Sequence, residues 1–456
     1  MSREACAQGM RKLVEWAAAT PVSALPRETL IRAARVVADD LAAITGARDE
    51  PEVKQFHDRV LARGGREEAT IFRGGRGRVE RVSAAVANAV AADWLELDEG
   101  FRPASCHAGL YVLPALLAEA EAKNLSAGEM LRAVVLAYEI VTRVAMTFSQ
   151  KTVTMQSHGR FAAVGAAASV ALARNADAKL LSAALGTAVT LIGPSPRTHL
   201  AAGILSRNVW PASGAWSGSM AVEWAECGIA GAPEAFHDVY AGVLGNADNA
   251  SALTDGLGER WSIMEGYTKI YACCQHLHAA VEATVAMRDA VLKQGRLDEV
   301  EAIRVETHPL AIALVNARPG STLGAKFSMS HAVAAALVTG TGGAEAFAAS
   351  TLADPAIDRL RSKLSVAPYG RDLPPPNDRP SRVIIEFKGG RKVENECLSA
   401  IGGPDRPLPP EVVFDKITAL AAPVYPKMRQ VMEELAKLPA ARLSRGWSDT
   451  VAEMCG

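Results

Sequence analysis

Phe161 to Ala173, FAAVGAAASVALA, is the longest weakly polar stretch of the chain and stands between Arg160 and Arg174. Its 13 residues fall short of the ~20 that a bilayer-spanning helix needs, so it reads as a helix buried in protein rather than in lipid. The whole chain shares its character: 85 of 456 residues are Ala, and aromatic residues make up only 5%. Ala is the best helix former and lets helices approach closely. Much Ala with few aromatics therefore points to tightly packed helices rather than to a sheet sandwich.

Helical spacing continues on both sides of this stretch. Residues 27–45 place apolar residues on one face, with Pro26 before them and Gly46 after. Residues 82–98 read as another helix, ending near Glu99-Gly100. Ser126 opens S-A-G-E, a capping box with Glu129, ahead of the apolar run LRAVVLAYEIVTRVAM. Residues 177–192 and 212–227 continue the pattern, and almost nothing before about 265 demands a strand.

Beyond that point the pattern changes. Val300 to Thr307 alternates around Ile303 and Val305, and residues 382–388 and 391–397 flank Gly389-Gly390, a hairpin signal. Helical stretches at 278–291, 327–339 and 356–364 lie between these strands, and 368–381 reads as a Pro-rich surface loop. After 409 helices return, in PEVVFDKITALAA and YPKMRQVMEELAKL. A chain this long exceeds the ~250–300 residues of a single core. The expectation is a mainly α protein. Residues 1–267 form a large all-helical domain completed by 409–456, and 268–408 form a smaller inserted α+β domain.

Charge narrows the function. Lys and Arg total 49 against 50 Asp and Glu, with no basic run, which argues against a nucleic-acid partner. With 49% apolar residues and a net charge of −1 the chain can bury a large core, so disorder is not expected. The start, MSREACAQGMRKLVEW, lacks the apolar region of a secretory signal. Seven scattered cysteines do not form a disulfide framework. A cytoplasmic protein with reduced thiols, not bound to a membrane, is the expectation.

Three segments could carry chemistry. His107 follows Glu96, Asp98 and Glu99 in a loop between helices, where carboxylates can orient and charge an imidazole for proton transfer. The same pattern also suits a solvated helix end with a capping histidine. His158, in MQSHGRFAAVGAA, opens a helix whose free N–H groups attract anions, and with Arg160 it could meet an anionic substrate or simply cap the helix. TKIYACCQHLHAAVEA gathers Lys269, Cys273, Cys274, His276 and His278. Zinc is not expected there, because adjacent cysteines and the missing C-x₂-C and H-x₃₋₅-H intervals do not suit one tetrahedral ion. A cysteine nucleophile activated by Lys269 or a histidine, or plain packing, remains open.

Taken together, these segments resemble the 2-methylcitrate dehydratase (MmgE/PrpD) family, which includes cis-aconitate decarboxylase and iminodisuccinate epimerase. ELDEG with CHAG and LPALLAEAEA is similar to its acidic motif, histidine step and apolar helix. SHGRFAAVGAAASVALA resembles its second histidine segment. RNVWPASGAWSGSMAVEWAECGIAGAPEAF, KIYACCQHLHAAVEA, AKFSMSHAVAAALVTG and LADPAIDRLRSKLSV resemble later segments, in the same order. The resemblance implies an all-helical domain with an α+β lid, an active site in the cleft between them, a homodimer, and neither a metal nor a cofactor.

Carried over residue by residue, it assigns His107, His158, Lys269 and Asp98 to catalysis. It places Glu96, Arg207, Arg160, Cys274 and His276 at the substrate. Four positions depart from the family pattern. Arg207 replaces a common Lys, Gly100 stands near a Thr, Ala108 replaces Pro, and Cys274 stands where the decarboxylase has His. An Arg keeps the charge but gives up the amine as a proton carrier. The implied activity is a hydro-lyase on a small hydroxy-carboxylate, a methylcitrate-like polyacid. The alternatives are an isomerase or epimerase, a decarboxylase, or a catalytically silent binding protein.

Overall fold

The structure, a computed structural model, describes residues 2–150 and 152–456. Helix makes up 60% of it, so the chain is mainly α. The Phe161–Ala173 stretch lies in the helix Ser157–Ala173, almost wholly buried at the centre of the helical part. Its neighbours are the helices Ala108–Lys123, Ala127–Thr147, Ala178–Thr190 and Trp210–Glu226. The small residues set the spacing: a Cβ on Gly214 or Gly218 would collide with the backbone of the Ser157–Ala173 helix at Ala162, Ala163 and Ala167. Close approach here needs Gly on one helix and Ala on the other.

Helix starts follow local chemistry. The Oγ of Ser126 accepts from the Glu129 backbone N–H, and Asp177 likewise accepts from Leu180. The helix expected over 82–98 runs only Arg81–Ala92. The acidic residues that follow therefore lie in an irregular turn instead of on a helix end.

The expectation of almost no strand before 265 needs correction. Three small antiparallel pairings exist: Ala69–Ile71 with Gly77–Val79, Gly100–Phe101 with Gly266–Tyr267, and Phe148–Ser149 with Ala247–Asp248. Each is two or three residues long, too short to show alternation in sequence.

The later region carries a four-stranded sheet in the order Lys392–Cys397, Ser381–Phe387, Val300–Thr307, Leu364–Pro368. The first three pair antiparallel, with Val305 opposite Val383 and Ile303 opposite Ile385; the last pairs parallel to Val300–Thr307. The turn has three residues, Lys388 to Gly390, between Phe387 and Arg391, and its φ of 85° at Gly389 and 82° at Gly390 are left-handed values that Gly adopts without steric cost. Val300, Ile303, Val305, Val383, Ile385 and Phe387 form the buried face, with the helix His278–Gln294 packed on the sheet. The strand Leu364–Pro368 was not expected, because the helix Pro355–Arg361 and the Pro-rich loop leave it only five residues.

The C-terminal helices return to the first part. Pro410–Ala421 and Met428–Ala436 pack on Arg27–Gly46, and Trp447–Cys455 packs on Ala108–Lys123. The backbone N–H of Thr268 donates to the Gly402 carbonyl at 2.9 Å, so the chain enters and leaves the sheet-bearing region side by side.

Candidate active site

The turn after Ala92 folds its acids inward: Asp93, Glu96, Asp98 and Glu99 are all buried. Glu96 has φ 54°, a left-handed conformation uncommon for a residue with a Cβ. The contacts of its carboxylate compensate. One oxygen receives the Arg207 guanidinium and the other lies 3.4 Å from Lys269 Nζ.

An unbroken chain of alternating charges results. Arg207 bridges Asp93 and Glu96. Lys269 Nζ bridges Glu96 and Asp98, at 3.4 and 3.1 Å, and the second oxygen of Asp98 lies 2.7 Å from His107 Nδ1. His158 joins at the Asp93 end: its Nε2 is 2.5 Å from Asp93, and its Nδ1 is 2.9 Å from the Tyr111 hydroxyl. The two histidine rings meet edge to face with centroids 5.1 Å apart.

These neighbours set the protonation states. Burial alone would raise Asp98, but Lys269 and His107 override it and hold the carboxyl well below its usual range. Burial opposes the charge on Lys269 too, yet Asp98 and Glu96 outweigh it and hold the ammonium well above its ordinary value. Burial lowers His158 well below the usual imidazole range, and the positive charge of Arg207 adds to the effect. Asp93 is raised by burial and by Asp98 and Glu96, against the pull of Arg207.

Glu99 sits beneath this chain. It accepts from the Gly109 N–H at 3.1 Å and from the Tyr138 hydroxyl, and burial pushes its carboxyl up to about 7. Lys416, from the C-terminal part, donates to the Lys269 and Leu97 carbonyls and pairs with Asp39 at 2.7 Å. The tail thus fixes both strands of chain that carry the cluster.

The acceptor atoms of Asp93, Glu96 and Asp98 lie within 4.8 Å of one another, a spacing that would admit a metal ion. Arg207 and Lys269 already supply two positive charges to these acids. The Cys-His segment forms no such group among the described residues. His278 Nε2 hydrogen-bonds the Cys273 carbonyl at 3.1 Å, His276 faces His308, and burial raises the Cys274 thiol to about 11. A thiol at that value stays protonated near neutral pH and is a weak nucleophile.

Against this cluster opens a cavity of about 990 Å³, counting its mouth, lined among others by Glu96, His107, Arg207, Cys274, His276 and Phe327. The sequence candidates separate here. His107, Glu96, Arg207, Cys274 and His276 reach the cavity wall, whereas Asp98, Lys269 and His158 lie behind it. Arg160 goes elsewhere: its guanidinium donates to the Phe148 carbonyl at 2.7 Å and lies 4.5 Å over the Phe161 ring, caged away from the cavity.

Sequence reading missed several members. Asp93 closes an Ala-rich helix and looks like a solvated terminus. Tyr111 stands one helical turn after His107, a spacing that could have suggested contact. Arg102, Arg197 and Arg379 also line the cavity, two from loops and Arg197 from the start of the short helix Arg197–Ala201, and none belongs to a motif.

Residues 11–249 match the MmgE/PrpD N-terminal domain and residues 271–439 the MmgE/PrpD C-terminal domain. The cis-aconitate decarboxylase-like protein oryM of Aspergillus oryzae is 24% identical over 402 residues, which cover 82% of this chain and 81% of that one.

Proposed function

The chain belongs to the MmgE/PrpD family, and from that premise we propose that its cavity is the active site of a hydro-lyase acting on a small hydroxy-polycarboxylate. The observation that carries this reading is the Asp98–His107 pair at the cavity wall. Asp98 is held ionised, so His107 Nδ1 donates its proton to it. That leaves the Nε2 lone pair available as a general base, and Nε2 makes no hydrogen bond with the described residues.

In this mechanism His107 removes a proton next to a substrate carboxylate. Negative charge builds up on that carboxylate, where Arg207 at the cavity wall lowers its energy. Departure of the β-hydroxyl with a proton completes dehydration. His158 has Nδ1 hydrogen-bonded to Tyr111, Nε2 against Asp93 and no face on the cavity, so it positions His107 through ring contact instead of touching substrate. Lys269 and Arg207 keep Asp98 and Glu96 ionised in a dry site.

Decarboxylation, the reaction in the name of the Aspergillus oryzae relative, and epimerisation would use the same charge stabilisation. The neighbouring passage of the chain at Thr268 and Gly402 supports reading 268–408 as an inserted lid over this cavity. A homodimer in the cytoplasm fits the same family reading.

The test is incubation with a panel of di- and tricarboxylates in D₂O, followed by mass spectrometry. Loss of one water is expected. Loss of carbon dioxide would assign a decarboxylase, and deuterium uptake without loss an isomerase. No change in any acid on the panel would sink the catalytic reading.

A further inference from the structure

The cavity has a second wall that proton transfer at His107 does not use. Its charged lining consists of Glu96 and four arginines, Arg102, Arg197, Arg207 and Arg379. Arg207 and Glu96 neutralise each other. Arg102 is held by Asp378 at 2.7 Å. Arg379 comes no closer than 3.7 Å to that same Asp378, and its N–H groups go to neutral acceptors, the Gln275 side chain and the Arg102 carbonyl. The Arg197 side chain makes no hydrogen bond or ion pair with the described residues. Of the guanidinium groups at the cavity, Arg197 therefore has no acid among the described residues and Arg379 has only a share of Asp378.

Both are held by well-anchored backbone. The Arg197 N–H donates to the Thr154 carbonyl at 2.9 Å, and Met155 bridges Pro196. Arg379 precedes Pro380, whose carbonyl accepts from Thr307 Oγ1 at 3.0 Å, and Ser381 opens the second strand of the sheet. His276 lines the same wall with its Nδ1 buried and unpartnered. Arg197, Arg379 and His276 share this stretch of the lining, and burial, with the charges of Arg379 and Arg197, holds the imidazole well below its usual range. The local chemistry is two planar cations and one neutral imidazole.

We infer that Arg197, Arg379 and His276 form a second carboxylate subsite, which binds the substrate carboxylate remote from the carbon deprotonated by His107. This rests on the reading of the cavity as a carboxylate site. Guanidinium forks match the two oxygens of a carboxylate in plane. An acid with a single carboxylate would leave these cations unmatched. Arg197 comes from the helical part and Arg379 from the sheet-bearing part, so the subsite draws on both parts of the chain. Substrate discrimination thus lies in a wall separate from the His107 chemistry.

The experiment is calorimetric titration of the full chain with two saturated, unreactive acids of similar length, glutarate and butyrate, with inorganic phosphate as a third probe. Glutarate is expected to bind at least ~100-fold more tightly than butyrate. Arg197→Gln and Arg379→Gln should each weaken glutarate about 10-fold, and the double variant should bind it no better than butyrate. Arg197→Lys and Arg379→Lys, which keep charge and bulk, should recover part of the affinity; melting temperatures without ligand show which variants are folded. Folded Gln variants that bind glutarate as the parent does would overturn the subsite. So would phosphate binding as tightly as glutarate, since the site would then take any anion. Failure of the parent chain to bind any of the acids would instead remove the carboxylate reading itself.

Discussion

Two groups of charge meet at the cavity, and they are satisfied in opposite ways. The inner group, Asp93, Glu96, Asp98, Arg207 and Lys269, is buried and closes on itself through contiguous ion pairs. The outer group, Arg197 and Arg379 around His276, has two cations and only a share of one acid, Asp378, which lies 3.7 Å from Arg379 and is held by Arg102 at 2.7 Å. The difference teaches a division of labour. A self-neutralised cluster keeps Asp98 ionised beside His107 whether or not substrate is present. An undermatched wall gains the rest of its counter-charge only from substrate. Composition hides this, because a net charge of −1 over the chain averages the two.

The contrast breaks most directly at Arg207. Arg207→Met would leave Asp93 and Glu96 buried without their cation, and such losses cost about 3–5 kcal/mol. Urea unfolding should show that drop. A midpoint within error of the parent would mean that the inner group is not closed on itself.

Glu99 gives the next effect, in the pH dependence. Its folded value of about 7 lies above the ordinary 4.5 through burial, so the folded chain holds this proton to higher pH than the unfolded chain does. The resulting stability is fully present below about pH 4.5 and is lost as pH rises through about 7, a span of about 3 kcal/mol. Unfolding free energies measured at pH 5 and pH 8 should therefore differ less, by about that amount, in Glu99→Gln than in the parent. An equal difference in both would show that Glu99 does not titrate in this window.

His107→Gln should keep the melting temperature and reduce turnover at least ~100-fold. Turnover within a factor of about three of the parent would remove His107 as the base. The smallest effect belongs to the rim. Asp378 is partly exposed, so Asp378→Asn should change stability by only about 0.2–1 kcal/mol by thermal melt. A larger loss would place Asp378 among the buried, mutually dependent charges instead.

The motifs placed Glu96, Asp98, His107 and Lys269 in one neighbourhood, and the structure brings these four together. They were legible because three lie within twelve residues and the fourth sits in a recognisable segment. Arg160 misled: adjacency to His158 along a helix does not give the same direction, and its side chain turns to Phe148. Arg197 and Arg379 were illegible because a lone arginine in a loop or at the start of a five-residue helix carries no periodicity or spacing. Tyr111 lay one helical turn from His107, and only the packing of two helices revealed its contact with His158.

By itself, the sequence determined the helical class, the Gly389-Gly390 hairpin and the alternating strands, since these depend on neighbours a few residues away. It also located the acidic turn, through a local pattern of acids ahead of a histidine. Only the tertiary structure decided which acid meets which cation. Glu96 finds Arg207 across 111 residues and Lys269 across 173, and no local propensity reaches that far. The same holds for the unmatched wall: whether an arginine has a counter-charge depends on everything packed around it, and that is fixed only when the whole core has closed.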